Sequence, residues 1–244
     1  MAEDTFLIDL RQVSFAYAGG GSILNGLDFQ LRAGEKVGIV GSNGCGKTTF
    51  LHLLMGLILP GSGSVRLFGE EMRAKKDFDR QRTRLGLLFQ DADDQLFSPT
   101  VLEDVAFGPL NLGKSARQAK EAAHGVLERL GIGELAERIT HRLSGGEKRM
   151  VALATVLAME PEVLLLDEPT TGLDESTRAR ITEVLTGLAQ ACVVISHDYD
   201  FLVAVTDRAC YMRDGRIIAD NGEVVHNHFH VHRLGGVPHR HSHS

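Results

Sequence analysis

One stretch constrains what this chain can fold into more than any other. Gly41-Ser42-Asn43-Gly44-Cys45-Gly46-Lys47-Thr48 has the spacing G-x-x-x-x-G-K-[ST], and Thr49 continues it. A strand-like apolar run, Glu35 to Gly41, leads into it, and a helical pattern from Lys47 to Leu59 leads out. Glycines at these intervals let successive backbone N–H groups turn toward one anion, and the N-terminus of the following helix adds positive potential. Lys47 offers a mobile cation to the β- and γ-phosphates of a nucleotide, and Thr48 offers a hydroxyl oxygen to Mg²⁺. Cys45 reads as a small filler inside the loop.

A strand–loop–helix of this kind belongs in an α/β fold, and the rest of the chain agrees. Gly86 to Gln90, Val163 to Leu166 and Ala191 to Ser196 read as strands, and Ser115 to Leu130, Ser144 to Met159 and Ser176 to Leu188 as helices. The four consecutive apolar residues from Val163 mark a strand buried on both faces, as in a mostly parallel sheet covered by helices. Ahead of the loop, two β-type runs, Phe6 to Leu10 and Val13 to Tyr17, precede a turn at Gly19 to Ser22. Near the end, Asp214-Gly215 between two apolar runs predicts a hairpin. Residues 91–160 are predominantly helical in pattern and read as an inserted subdomain.

Charge and composition exclude several classes. With 26 basic and 32 acidic residues the net charge is −6, a poor match for non-specific nucleic-acid binding. No window approaches the roughly 18–20 apolar residues of a membrane span, and the acidic start lacks the pattern of a signal peptide. The expectation is a cytoplasmic chain. Cys45, Cys192 and Cys210 are far apart, so reduced thiols are expected.

The apolar run that begins at Val163 ends in two carboxylates, Asp167 and Glu168. A strand end beside a phosphate loop can place Asp167 near Mg²⁺, through a water, and aim Glu168 at the γ-phosphate. A carboxylate there can orient and deprotonate the attacking water.

Leu143-Ser144-Gly145-Gly146-Glu147 then opens a helix about twenty residues upstream of Asp167, with Ser144 as a natural N-cap. Together with the loop and the acidic strand, this motif resembles the signature of the ATP-binding cassette (ABC) ATPase family. The likeness covers about residues 5 to 222. It implies an ABC-type P-loop ATPase domain over residues 1–223, with an N-terminal antiparallel β subdomain and a helical insertion at about 91–160. It implies ATP and Mg²⁺, the metal being placed by Thr48, Gln90 and Asp167. Glu168, His197 and Gln90 take the catalytic roles: Glu168 as base, His197 against the γ-phosphate, Gln90 sensing Mg²⁺ and a membrane partner. Tyr17 corresponds to the aromatic that stacks on adenine, and Asp174 in Gly172-Leu173-Asp174 to the dimer-contacting loop. The family works as a head-to-tail pair, each ATP lying between the loop of one subunit and the signature of the other. One loop and one signature per chain therefore imply a homodimer. The signature commonly ends in glutamine; Glu147 is a variant found in several import families and is not read as inactivating.

A narrower likeness rests on Asp91 to Pro109. Gln95-Leu96-Phe97 after Gln90, then Thr100-Val101, Asp104-Val105-Ala106-Phe107-Gly108-Pro109, resemble the cobalt and nickel ATPases of the energy-coupling-factor importers, the CbiO/NikO type. In that group the region faces a coupling helix of an integral membrane subunit. Leu96 and Phe97 as plain core residues of the helical subdomain stay open beside that reading. The likeness implies an ATP-hydrolysing subunit of a cobalt or nickel importer, peripheral to the cytoplasmic face of the membrane. The short chain beyond Asn221 favours metal importers over the vitamin importers of the same group, many of which carry a longer extension. An importer of a vitamin or other solute is the alternative. A soluble ABC ATPase of DNA repair or translation fits less well, for want of a coiled-coil insertion or a second cassette.

The last stretch, 224–244, reads as a flexible tail rich in histidine. His226, His228, His230 and His232 alternate, and neutral imidazoles are ligands for Ni²⁺ or Co²⁺. On one extended strand the four would span about 20 Å at roughly 3.3 Å per residue, so a single ion requires the tail to wrap. A solvated pH-sensitive surface, or a tag, stays open for this segment.

Overall fold

The computed structural model describes residues 6–219. In chain order its elements are β1 (Phe6–Ala16), β2 (Ser22–Arg32), β3 (Lys36–Val40), α1 (Lys47–Leu54), β4 (Ser62–Leu67), β5 (Glu70–Glu71), α2 (Lys75–Gln81), β6 (Leu85–Leu88), α3 (Val101–Asn111), α4 (Ala116–Arg129), α5 (Gly145–Leu157), β7 (Val163–Asp167), α6 (Glu175–Gly187), β8 (Ala191–Ile195), α7 (Tyr199–Val205), β9 (Arg208–Arg213) and β10 (Arg216–Ala219). Short 3₁₀ turns join several of them.

The strands form two sheets. β2-β1-β4-β5 is antiparallel throughout, and β10-β9-β3-β8-β7-β6 is parallel except for its terminal hairpin. The period-2 alternation of side chains divides the central strands between two cores. Val163 and Leu165 of β7, with Val193 and Ile195 of β8, pack toward α1 and the antiparallel sheet. Leu164 and Leu166, with Cys192 and Val194, pack toward α3, α4, α5 and α7. Both strands are buried along their whole length, as a continuous apolar run requires. Between Asp91 and Met159 the chain adopts only helices and turns apart from one isolated bridge, Thr100 to Ile139.

Three differences from the sequence pattern have physical causes. The two β-type runs before the loop form one strand, β1, because Gln12 takes a left-handed φ of 52° and absorbs the irregularity as a bulge against β2. Its amide and side chain both bond the Asp28 carboxylate. The helix after the loop ends at Leu54 and does not reach Leu59. Gly56 (φ 65°) stops it in a Schellman arrangement, Leu57 N donating to His52 O at 2.9 Å and Gly56 N to Leu53 O at 3.0 Å. β2, whose polar and apolar residues are interrupted by Asn25 and Gly26, carried no clear strand signal. The Asp214-Gly215 hairpin forms, with φ values of 50° and 72° that suit the tight primed turn.

α5 lies unusually close to β6. A Cβ on Gly86 would stand 2.4 Å from Val156 Cγ1 and 2.9 Å from Pro161 Cγ. Gly86→Ala is therefore expected to overpack this seam and destabilise the chain by about 1–3 kcal/mol, read from urea unfolding. A midpoint unchanged from the parent would show that the seam yields freely.

Candidate functional site

The C-terminal ends of β3, β6, β7 and β8 meet the start of α1 around one cleft of about 460 Å³. Its walls are Asn43, Gly44, Gly46, Lys47, Thr48 and Thr49 from the loop and helix, Gln90 beyond β6, Asp167 and Glu168 at the end of β7, Thr171, His197 beyond β8, and Ile23 from β2. The loop folds as its glycines allow. Gly46 caps α1 with a φ of 112°, a left-handed conformation that a side chain rarely adopts, and a Cβ there would also meet Met212 Cε at 2.9 Å. Lys47 turns its ammonium back into the loop, donating to Gly41 O at 2.6 Å and Ser42 O at 3.1 Å. Cys45 is buried with its sulfur against Gly41.

The acidic end of β7 is built with care. Thr48 Oγ1 donates to Asp167 Oδ2 at 3.3 Å. Burial, first, and the neighbouring Glu168 charge push Asp167 above the usual carboxylate range, against the Thr48 hydrogen bond, Lys47 and Arg149. Glu168 holds a left-handed φ of 48°, costing of order 1–3 kcal/mol for a residue with a side chain. Its surroundings fix it: its N–H donates to Ile195 O at 2.9 Å, and Oε2 accepts from Thr171 Oγ1 at 3.1 Å and His197 N at 3.3 Å. Oε1 is buried and accepts no hydrogen bond; His197 Nε2 stands 3.3 Å away but out of line. Glu168 lines the cleft with Lys47 and the loop glycines, and a carboxylate oxygen there that accepts no hydrogen bond fits a group that brings its own proton donor. The paired oxygens of Thr48 and Asp167 are the hard donors that Mg²⁺ selects.

Behind this end sits Arg149, 3% exposed on α5. Its guanidinium donates to Pro169 O at 2.9 Å, Phe89 O at 2.5 Å, Asp167 O at 3.4 Å and, closely, Glu168 O. Burial draws its pKa down, against the charges of Asp167, Asp91 and Glu168.

A second group of the sequence-selected residues lies elsewhere. Ser144 caps α5, its N–H donating to Glu147 Oε2 at 2.7 Å while Glu147 N donates to Ser144 Oγ at 3.3 Å. Arg138 Nη1 reaches Glu147 Oε1 at 2.8 Å. The Ser144 amide, foremost, holds the Glu147 carboxyl below its usual range. Asp174 caps α6, accepting from Ser176 Oγ, Thr177 N and Thr177 Oγ1, bonds that hold it far below the ordinary value. The two caps adjoin, for a Cβ on Gly146 would lie 2.9 Å from Thr177 Oγ1. None of Ser144, Gly145, Gly146, Glu147 or Asp174 lines the cleft. Nor does Tyr17, 44% exposed past the end of β1 with its ring edge-on to Phe15 at 4.9 Å. His226, His228, His230 and His232 lie outside the described residues.

Sequence reasoning missed Ile23, Thr171 and Arg149. Ile23 sits in the strand that carried no clear signal. Thr171 gave no signal beyond its nearness to Glu168. Arg149 follows Lys148 and looks like another exposed basic residue, although its helical neighbours Met150, Val151 and Leu153 are apolar.

Asp167 yields a prediction with a definite sign. Its folded pKa is raised above the unfolded value, so the ionised carboxylate costs stability once the pH exceeds the folded pKa. Asp167→Asn should therefore melt at or above the parent at pH 7.5 without nucleotide. The gap should close as the pH falls below the unfolded value, 3.8, where the parent's carboxyl is protonated in both the folded and the unfolded state. A lower melting temperature for the variant at pH 7.5 would refute the assignment.

Comparison with known proteins agrees with this geometry. Residues 24–171 match the family model described as ABC transporter. The chain is 44% identical to the cobalt import ATP-binding protein CbiO of Rhodobacter capsulatus over 220 residues, covering 88% of this chain and 79% of that protein. It is 42% identical to the energy-coupling factor transporter ATP-binding protein EcfA of Methanothermobacter thermautotrophicus over 219 residues, covering 88% and 70%. Its fold superposes on CbiO1 of Clostridium perfringens, described as part of the ABC transporter complex CbiONQ, with a TM-score of 0.80 at 34% identity, covering 88% of this chain and 87% of that one. A phosphate loop, an acidic strand end and a capped second helix, on this sheet order and with these likenesses, leave one conclusion: the chain belongs to the ABC transporter family as an ATP-binding, ATP-hydrolysing subunit.

Proposed function

We propose that this ATPase drives a membrane importer for cobalt or nickel ions. The observation that carries hydrolysis is the cleft that joins Lys47, the Thr48–Asp167 pair and Glu168, whose Oε1 accepts no hydrogen bond. In this reading the loop amides from Gly41 to Thr49 and Lys47 hold the phosphates of ATP, and Ile23 offers an apolar wall beside them. Thr48, Asp167 and Gln90 would hold Mg²⁺, which would supply charge neutralisation at the phosphates. Glu168 accepts a proton from water as the water oxygen bonds the γ-phosphorus; the bond from that phosphorus to the bridging oxygen breaks, and ADP leaves with the electron pair. His197 donates toward the transferring phosphoryl group.

The signature cap stands apart from this cleft, which supports a site shared between two chains. Ser144, Gly145, Gly146 and Glu147 then face the ATP held by a second copy, with Asp174 at the same contact. Residues 1–223 are read as this ATPase domain and 224–244 as a tail.

Membrane subunits are the proposed partners of α3 and the segment before it. Phe97 and Phe107, 66% and 44% exposed, stack edge-on at 4.7 Å beside a hollow lined by Asp93, Leu96, Ser98 and Pro99. Leu96 packs against the helical core, while Phe97 does not. Gln95 turns inward, its amide donating to Ala152 O and Thr155 Oγ1, so the ledge begins at Phe97. Among the described residues no helix is long and apolar enough to cross a membrane, in keeping with a peripheral subunit whose transport path is formed by others. The named metal of the CbiO relative supports cobalt or nickel as cargo. Among the described residues no cluster of three or more His, Cys, Asp or Glu could hold a metal ion. Binding of Ni²⁺ or Co²⁺ by this chain would thus rest on the tail, at His226, His228, His230 and His232.

Three experiments test this reading. Mixing a Lys47→Ala chain with a Ser144→Arg chain should create one intact composite site per mixed dimer, so two inactive parents should recover partial ATPase activity. Proven mixed dimers without recovery would refute the shared site. In cells that express the chain with its membrane subunits, uptake of radioactive cobalt or nickel should be lost with Glu168→Gln, and hydrolysis should fall at least about a hundredfold. Truncation after Asn221 should leave hydrolysis intact and lower the number of Ni²⁺ ions bound. Glu168-dependent uptake of an organic solute but of neither metal would overturn the cargo assignment.

A further inference from the structure

The hydrolytic reading gives Glu168 the proton but leaves its backbone unexplained. Glu168 is one of few non-glycine residues at positive φ, and it lies where the sheet's own ladder stops. The last bonds of that ladder are the Asp167 pairing with Ile195 and the donation from Glu168 N to Ile195 O. Past that point the carbonyls of Asp167, Glu168 and Pro169 all receive hydrogen bonds from one side chain on α5. The two peptide planes flanking the Glu168 Cα carry the Asp167 and Glu168 carbonyls, and their relative rotation is the φ and ψ of Glu168. One guanidinium nitrogen, Arg149 Nη2, donates to both. The other terminal nitrogen reaches Phe89 O, the residue before Gln90. β6 and β7 are parallel neighbours paired up to Leu88 and Leu166, so Arg149 spans the two chain segments that leave them.

We propose that Arg149 is a positioning residue of the hydrolytic site: its buried guanidinium locks the left-handed backbone of Glu168 and keeps it in register with the Gln90 segment. The chemistry demands arginine. A planar fork with several N–H donors in fixed directions can serve carbonyls on two segments at once, which a single ammonium cannot. Among the described residues no other side chain bonds the carbonyls of Asp167, Glu168 and Pro169; the backbone amide of Thr171, from the same segment, also donates to Glu168 O at 3.3 Å. Small displacements of a reacting group cost large factors in rate, so a loosened Glu168 loses turnover while the phosphate loop, on the other side of the cleft, keeps its grip on ATP.

This inference rests on Glu168 being the base, and the test separates the two claims. The full chain is assayed as parent, Arg149→Lys, Glu168→Gln and the double variant, with multiple-turnover kinetics, single-turnover hydrolysis of γ-labelled ATP, and ATP affinity. Arg149→Lys keeps the charge but loses the fork. It should lower kcat by about ten- to a hundredfold with KM and ATP affinity within about threefold of the parent. In the Glu168→Gln background the same substitution should change the residual rate by less than about twofold, because there is no longer a base to misplace. Arg149→Gln, with two donors and no buried charge, gives a second reading should lysine fold poorly, and it should show the same split. Parent-like turnover by a folded Arg149 variant would overturn the proposal. An equal loss with and without Glu168, or a loss of ATP affinity in step with rate, would overturn it too, as marks of a merely structural residue. Near-normal turnover by Glu168→Gln would instead remove the assignment of the base itself.

Discussion

A parallel strand covered on both faces meets no water until it ends. β7 and β8 are buried at every position, and their side chains divide between two cores with no polar group among them before Asp167. Charge has to be gathered where the strands stop. Lys47 follows β3, Gln90 follows β6, Asp167 and Glu168 close β7, and His197 follows β8. The cleft is the place where an apolar sheet first permits ions, and it lies at the carboxyl ends of the strands, where open α/β sheets hold their ligands. Desolvation at that edge explains why Asp167 is pushed toward its neutral form and why cations are needed near it.

The helix ends solve a related problem by different means. α5 and α6 each begin with four amides lacking partners inside the helix. Ser144 with Glu147, and Asp174 with Thr177, satisfy part of that need from the chain itself. The glutamate in place of the usual glutamine closes the capping box and is held by Arg138 on its outer side. Its charge is engaged locally, which leaves the serine and the two glycines as the outward face of the helix start.

The loop, the acidic strand and the capped helix were legible because each depends on local chemistry: glycine conformations, a run of apolar residues, an N-cap. The hairpin at Asp214-Gly215 was legible for the same reason. β1 looked like two runs because the bulge at Gln12 is stabilised by Asp28, sixteen residues away. The end of α1 depended on a Schellman turn that helical periodicity does not reveal. Ile23 and Arg149 could not be read locally, since the first belongs to an unmarked strand and the second finds its carbonyls 18 to 60 residues away. Sequence patterns record what a residue does with its neighbours in the chain; these two act on segments that only the folded sheet brings close.

The strand order has a consequence for how the molecule is made. β3, which delivers the phosphate loop, lies between β8 and β9, and about 150 residues separate it from the nearer of them in sequence. On a ribosome adding roughly 5–20 residues per second, β3 waits on the order of 8–30 s for a partner on either side. Closing so long a loop is slow and entropically costly, so the nucleotide-binding strand is set in place only after β8 and β9 have emerged. The glycine-rich loop thus emerges long before the ladder that fixes its strand, and the cleft that joins it to β7 and β8 is complete only late in synthesis.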